Sequence, residues 1–188
     1  MMRSNSFADF AFLKKLPGRK IIGKGNHDYW WGTMKKLNEF TKENGLSTIN
    51  FLFNNAYEAE NIAVCGTRGW ICPGDRDFGK TDEAVYRREG LRLETALKQA
   101  QKETTRLSEL GRRAVMVGFM HYPPMGNGNN DTVFTELFER YGVWQVFYGH
   151  LHGLHARETT QNAASNVQYH LISGDFIAFN PVLIRLGD

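Results

Sequence analysis

The sequence is poor in the features that mark special chain classes. Among its 188 residues are only two cysteines, Cys65 and Cys72, too few for a disulfide framework. Their spacing exceeds C-x-x-C, which excludes a zinc ribbon or a thioredoxin-type motif and makes a reducing cytoplasm the expected compartment. No apolar run approaches the roughly 18 residues of a membrane-spanning helix, so no membrane partner is expected. The start, Met1-Met2-Arg3-Ser4-Asn5-Ser6, lacks the apolar segment of a secretory signal. Charge of either sign is not in excess: 23 basic against 20 acidic residues leave +3. These charges are mixed along the chain rather than gathered into a stripe, so no nucleic-acid partner is expected. Internal repeats and low-complexity tracts are absent as well.

What is present suits a folded chain. Apolar residues make up 41% and charged residues 23%, ordinary globular values, and the length fits a single domain spanning residues 1–188. Strand and helix alternate. Phe7 to Leu16 reads as the end of a helix closed by Pro17-Gly18, and Arg19 to Gly23 as a short strand running into Gly23-Lys24-Gly25-Asn26-His27-Asp28. Tyr29 to Asn44 reads as helix, with Met34, Leu37 and Phe40 on one face and Gly45 as its stop. Ile49 to Phe53 and Asn61 to Cys65 read as a hairpin. The stretch from Gly66 to Lys80 is irregular and rich in glycine, aspartate and aromatics, as functional loops are.

Thr81-Asp82-Glu83 supplies an N-cap and first-turn acids for a long helix to Leu110. Its polar face, with Arg87, Arg88, Glu94, Lys98 and Lys102, reads as solvated surface, and Gly90 is a weak point with no evident purpose. Ala114 to Met120 and Val143 to Tyr148 have the near-continuous apolar character of strands buried on both faces, with a helix from Thr132 to Tyr141 between them. Val167 to Ile172 and Val182 to Leu186 read as closing strands.

Three of these strands end alike. One leads into Asn26-His27-Asp28, one into His121 and one into His150-Leu151-His152. Ligands of open α/β sheets bind beyond the carboxyl ends of strands, so potential metal ligands gather there from three separate segments. Imidazoles with an amide oxygen suit Zn, Mn or Fe better than Ca or Mg. Gly25 and Gly149 are expected to allow the sharp turns that aim the next side chains. Two histidines flanking one residue after a buried strand are hard to explain as packing, because both nitrogens of each ring need partners. His170, alternating on a strand, reads as structural, and His155 as a surface or supporting residue.

In that order and context, Gly25-Asn26-His27-Asp28, then His121, then Gly149-His150-Leu151-His152 resemble the second half of the calcineurin-like metallophosphoesterase signature, from about residue 19 onward. The resemblance implies an α/β fold, a two-sheet αββα sandwich. It implies Asn26, His121 and His150 as ligands of one metal, His152 as a ligand of another, His27 as the catalytic histidine near the phosphoryl group, and Asp28 as the carboxylate that orients it. The implied cofactor is a divalent transition metal (Mn, Fe or Zn), two ions in an intact site, and the implied reaction is attack on a phosphate ester by a metal-activated water. Arg68 is a candidate for binding substrate phosphate through its guanidinium fork, with stacking on Trp70 as the alternative. Of Trp30 and Trp31, one is expected in the core and one at the pocket rim.

The family signature also has an earlier D-x-H and G-D, and neither occurs ahead of Asn26. Asp9 lacks the paired histidine, while Asp75 and Asp175 follow glycines far downstream. The expectation is therefore a domain missing its N-terminal strands, with one metal or none and little two-metal hydrolysis by this chain alone. Two functions follow. One is a metal-dependent phosphoesterase acting on a phosphomonoester or phosphodiester; the other is a non-catalytic metal- or phosphate-binding remnant of that fold. An uncovered sheet edge further implies a homo-oligomer.

Overall fold

The computed structural model describes residues 4–153 and 166–185. Two parallel-sheet systems, each with its own helices and core, build the chain. The first begins with helix α1 (Ser4–Lys15) and strand β1 (Lys20–Gly23), crosses through helix α2 (Met34–Glu43) and returns as strand β2 (Ile49–Leu52). The two strands pair in parallel with Lys20 opposite Ile49 and Gly23 opposite Leu52. Phe10 of α1, Leu37 of α2, and Trp31, Leu46, Ile49 and Phe51 form their buried core.

Helix α2 is shorter than its apolar spacing suggests. Residues 29–33 are irregular, and Thr33 caps the helix by accepting the Lys36 N–H. The reason is packing: Trp31 turns inward against Phe51, ring centroids 5.1 Å apart, while Trp30 packs on Phe10 at 5.2 Å. Residues on one helical turn could not send both indoles into that core. Trp31 is thus the core member of the pair, and Trp30 reaches from the core toward the loop. At the other end Gly45, at φ +61°, stops the helix as anticipated.

The second sheet has five strands in the order β3 (Asn55–Ala59), β4 (Ile62–Thr67), β5 (Val115–Met120), β6 (Gln145–Tyr148) and β7 (Gln168–Leu171). All its neighbours are parallel except β3–β4, a hairpin with Asn55 opposite Gly66. The hairpin anticipated between residues 49–53 and 61–65 is therefore corrected: the first of these strands pairs with β1, and the partner of β4 is the unanticipated β3. That strand escapes pattern reading because Asn55-Ala56-Tyr57-Glu58 has one small inward residue. Its outer edge is held instead by Gln99, which accepts the Ala56 N–H at 3.2 Å and donates to the Ala56 carbonyl at 3.4 Å.

Helix α3 (Lys80–Glu109) connects β4 to β5, and α4 (Val133–Arg140) connects β5 to β6. The cap of α3 is Gly79, not Thr81; Asp82 accepts the Gly79 N–H at 3.0 Å. The polar face of α3 carries the exposed pairs Glu83–Arg87 and Glu94–Lys98. Its other face buries Leu93, Ala96, Leu97 and Ala100 completely against the sheet, beside Phe134 and Phe138 of α4. Gly90 has a purpose after all: a Cβ there would lie 3.1 Å from both Val133 methyls, so its absence lets the two helices touch. Gly118 does the same for the sheet, where an added Cβ would sit 2.7 Å from the Phe138 ring.

Strand alternation then sends Val64, Phe119 and Ile172 to the opposite face. With Ile21 and Leu52 they enclose a cavity of about 390 Å³ between the two sheets. The layers run helix, sheet, sheet, helix, the two-sheet α/β sandwich anticipated above. The last expected strand is absent: residues 181–185 pair with nothing among the described residues, and Val182 and Leu183 are 50% and 70% exposed. No helix among the described residues is long and apolar enough to cross a membrane.

Candidate metal centre

The carboxyl ends of β1, β5 and β6 bring Asn26, His121 and His150 together from positions 95 and 29 residues apart in the chain. Asn26 Oδ1 lies 2.8 Å from His121 Nε2, and His150 Nδ1 lies 3.2 Å from the same nitrogen. A ring nitrogen has one in-plane hydrogen or lone pair, so straight hydrogen bonds cannot explain both contacts. A divalent ion can. Donors about 2.1 Å from one ion are about 3.0 Å apart at right angles and about 3.4 Å apart at tetrahedral angles. The observed spacings straddle the first value, and the two imidazoles and the amide oxygen suit a first-row transition metal.

Both rings are poised to offer lone pairs. Burial, reinforced by His150, pushes the His121 pKa down to about 4, and burial lowers that of His150, reinforced by His152. Neutral imidazole is the form a metal requires. The Tyr122 ring lies 4.2 Å from that of His150, centroid to centroid, and fixes its plane.

The turn that aims His150 differs from the anticipated one. Neither Gly25 nor Gly149 has left-handed backbone; His150 itself does, at φ +71°. A histidine so placed costs about 1–2 kcal/mol relative to an unstrained conformation, and such strain clusters at functional sites. Gly25 is needed for space instead, since a Cβ would stand 3.3 Å from both Asp28 Oδ2 and His121 Cε1.

Asp28 shapes the loop. One carboxylate oxygen accepts the Gly25 N–H at 2.6 Å and the other the Trp30 indole N–H at 3.0 Å. His27 is exposed, with its ring 6.2 Å from that of Tyr29, and near enough to His121 and His150 to oppose their protonation. His152 stands apart from the three donors. Its Nδ1 is 3.1 Å from Asp175 Oδ1, while Asp175 Oδ2 accepts the Gly153 N–H at 2.9 Å. If Nδ1 donates to Asp175, Nε2 keeps its lone pair, the usual arrangement behind a metal-binding imidazole. Among the described residues, no three His, Cys, Asp or Glu side chains form a metal-binding cluster; the convergence consists of two histidines and an asparagine. His170 stacks on Phe147 at 4.9 Å, away from the donors, and His155 lies outside the described residues.

A family model described as calcineurin-like phosphoesterase matches residues 3–154. The chain belongs to the calcineurin-like phosphoesterase family. Comparisons with curated proteins and with solved structures each return no match. The matched span contains the whole Asn26–His121–His150 convergence, and this phosphoesterase family generally binds divalent metals.

Beside the centre, Arg68 takes the stacked arrangement on Trp70 that stood as the alternative to phosphate binding. Its guanidinium lies over the Trp70 ring, 4.6 Å from the centroid, yet its side chain is only 18% exposed and faces Glu89 at 3.9 Å. Its carbonyl accepts the backbone N–H groups of His121 and Tyr122, which ties this loop to the metal centre. Glu89, on α3, is completely buried and accepts from Thr67 Oγ1 at 2.8 Å and Arg92 at 2.6 Å. Sequence reading passed over it; the available signal was an acid on the apolar side of the α3 helical pattern. Asp175 was weighed only as a misplaced Gly-Asp pair, and its role as the partner of His152 was not legible.

Proposed function

We propose that this calcineurin-like phosphoesterase domain, residues 1–188, binds a divalent transition metal (Mn, Fe or Zn) through Asn26, His121 and His150 and hydrolyses a phosphate monoester or diester. The observation that carries the reading is the pair of close contacts on His121 Nε2, to Asn26 Oδ1 and to His150 Nδ1, which straight hydrogen bonds cannot both explain and whose spacings suit ligands of one ion. When bound, the ion would supply positive charge that polarises phosphoryl oxygens and acidifies water. The chain's own residues do the rest. His27, exposed beside the centre, is placed to hold or deliver a proton at the reacting oxygen. Asp28 keeps the Gly25–Asn26 turn in the shape that presents the amide, and Arg68 offers its guanidinium to phosphate. His152, oriented by Asp175, is available to a second ion.

A second reading is favoured by one feature: the three donors are neutral and, among the described residues, no carboxylate joins them. On that reading the site holds a metal or phosphate without turning over. Elemental analysis of the chain after loading with Mn²⁺, together with hydrolysis of an aryl phosphate, separates the two. Metal lost in His150→Ala and turnover lost in His27→Ala support the enzyme. Metal without turnover supports the binding remnant, and no bound metal in the wild type refutes the enzyme and leaves the remnant to be refuted by a chain that binds no phosphate either.

The outer edge of β1 is unpaired among the described residues, and the apolar segment around Val182 and Leu183 is exposed. We propose that copies associate through that edge, with light scattering at high concentration as the test; a monomer refutes it. The two buried, unpaired cysteines suit a reducing cytoplasm.

A further inference from the structure

Around the buried Glu89 the structure assembles more positive charge than one carboxylate neutralises. Arg92 and Arg68 both face Glu89. Lys24, immediately before Gly25, holds its ammonium 5.6 Å from the centroid of Phe53, and the Arg92 guanidinium lies 5.4 Å from that same ring. The Lys24 ammonium makes no hydrogen bond among the described residues. Besides Glu89, Asp28 acts on it, and the two oxygens of Asp28 already serve Gly25 and Trp30. Three cations thus face two carboxylates, and all three lie against aromatic rings, Lys24 and Arg92 on Phe53 and Arg68 on Trp70.

Lys24 also opens into the cavity between the sheets, where Thr67, His121 and Gly149 meet it. The charged side chains lining that cavity are Arg19 and Lys24, with no acid among them. Arg68 belongs to both neighbourhoods. Its charge acts on Lys24 and on His121, and its backbone carries the His121 N–H. Lys24 and His121 line one cavity, and the Arg68 charge is near enough to act on both.

We propose that Lys24, Arg68 and Arg92 form a second anion subsite adjoining the Asn26–His121–His150 centre, and that the ligand carries two adjacent phosphoryl groups. One group occupies the centre beside Arg68, and the next lies against Lys24 and Arg92. The class of ligand rests on the phosphoesterase reading above, but the subsite does not depend on a bound ion.

The test is calorimetric titration of the whole metal-free chain with inorganic phosphate, inorganic pyrophosphate and a nucleoside diphosphate. The diphosphates are expected to bind at least about tenfold tighter than phosphate, the scale of one added charge-assisted hydrogen bond. Lys24→Gln should remove most of that preference, Lys24→Arg should restore it, and Lys42→Gln, an equal charge change on the exposed face of α2, should leave it alone. A stronger nucleoside diphosphate than pyrophosphate identifies an ester as the natural source, and the reverse identifies the inorganic form. His150→Ala should lose Mn²⁺ binding yet keep the preference, which separates this subsite from the metal reading. Equal affinity for phosphate and pyrophosphate overturns the proposal, as does equal weakening by Lys24→Gln and Lys42→Gln. A Lys24→Gln chain with native circular dichroism and an undiminished preference overturns it too.

Discussion

His150 is where backbone strain and ligand chemistry meet, so its replacement separates them. The residue holds φ +71°, a conformation that costs a non-glycine residue about 1–2 kcal/mol. Its ring packs on Tyr122 at 4.2 Å and on His121 at 5.0 Å, contacts worth about 0.5–1.5 kcal/mol. His150→Ala loses the packing and keeps the strain. His150→Gly loses the packing and relieves the strain, so it should be the more stable of the two by about 1 kcal/mol, or about 2–4 °C in Tm for a chain of this size. Metal binding should not distinguish them. With Mn²⁺ at about a hundred times its Kd, the wild type gains about 2.7 kcal/mol, roughly 5–10 °C. Loss of one of three protein donors weakens binding by at least about a hundredfold, beyond the range seen for outer partners. At the same Mn²⁺ concentration the gain then shrinks to about 0.4 kcal/mol, near 1 °C. Differential scanning calorimetry of the three proteins with and without Mn²⁺ reads both effects. An alanine variant that melts at or above the glycine variant refutes the strain argument. A wild-type-sized metal shift in either variant refutes the ligand assignment.

Stability without metal should depend on pH through His121. Its pKa in the folded chain, about 4, lies below the ordinary 6.5, so between those values the unfolded chain binds more protons. The contribution is complete above about pH 6.5 and is lost as pH falls toward 4. His150 and His170 are shifted in the same direction by burial. Melting curves should begin to decline near pH 6.5, with a shallower decline in His121→Gln; a flat profile down to pH 5 contradicts the burial argument. Gly118→Ala would push a methyl to 2.7 Å from Phe138, and such overpacking costs about 1–3 kcal/mol. Chemical denaturation should show it, and an unchanged midpoint would mean that α4 is free to shift. Glu89→Gln keeps the shape but removes the charge shared by Arg68 and Arg92. It should lower stability by about 1.5–3 kcal/mol, the scale of a hydrogen bond to a charged partner, and a neutral result would show the arginines to be neutralised elsewhere.

Much of the architecture follows from local pattern. The runs in β5 and β6 are apolar because both faces of those strands are covered, and the polar residues that follow them mark where the cover ends. That suffices to place Asn26, His121 and His150 at strand ends, since chain direction in a parallel sheet decides which ends share a side. Features that depend on a partner distant in sequence were not legible. Strand β3 exists because β4 and Gln99 satisfy its backbone, not because its own residues are strand-like. The segment around Val182 has strand-like residues but pairs with no strand among the described residues.

By itself, the sequence determined the α/β class and the three chemistry-bearing loops, because strand burial and loop motifs are written in neighbouring residues; the two-sheet arrangement was implied by the family resemblance those loops carry. Only the tertiary structure decided that His150, not a glycine, takes the left-handed turn, that Glu89 is buried among cations, and that His152 faces Asp175. Each of these is an energy balance between segments far apart in the chain, where packing and electrostatics outweigh local preference.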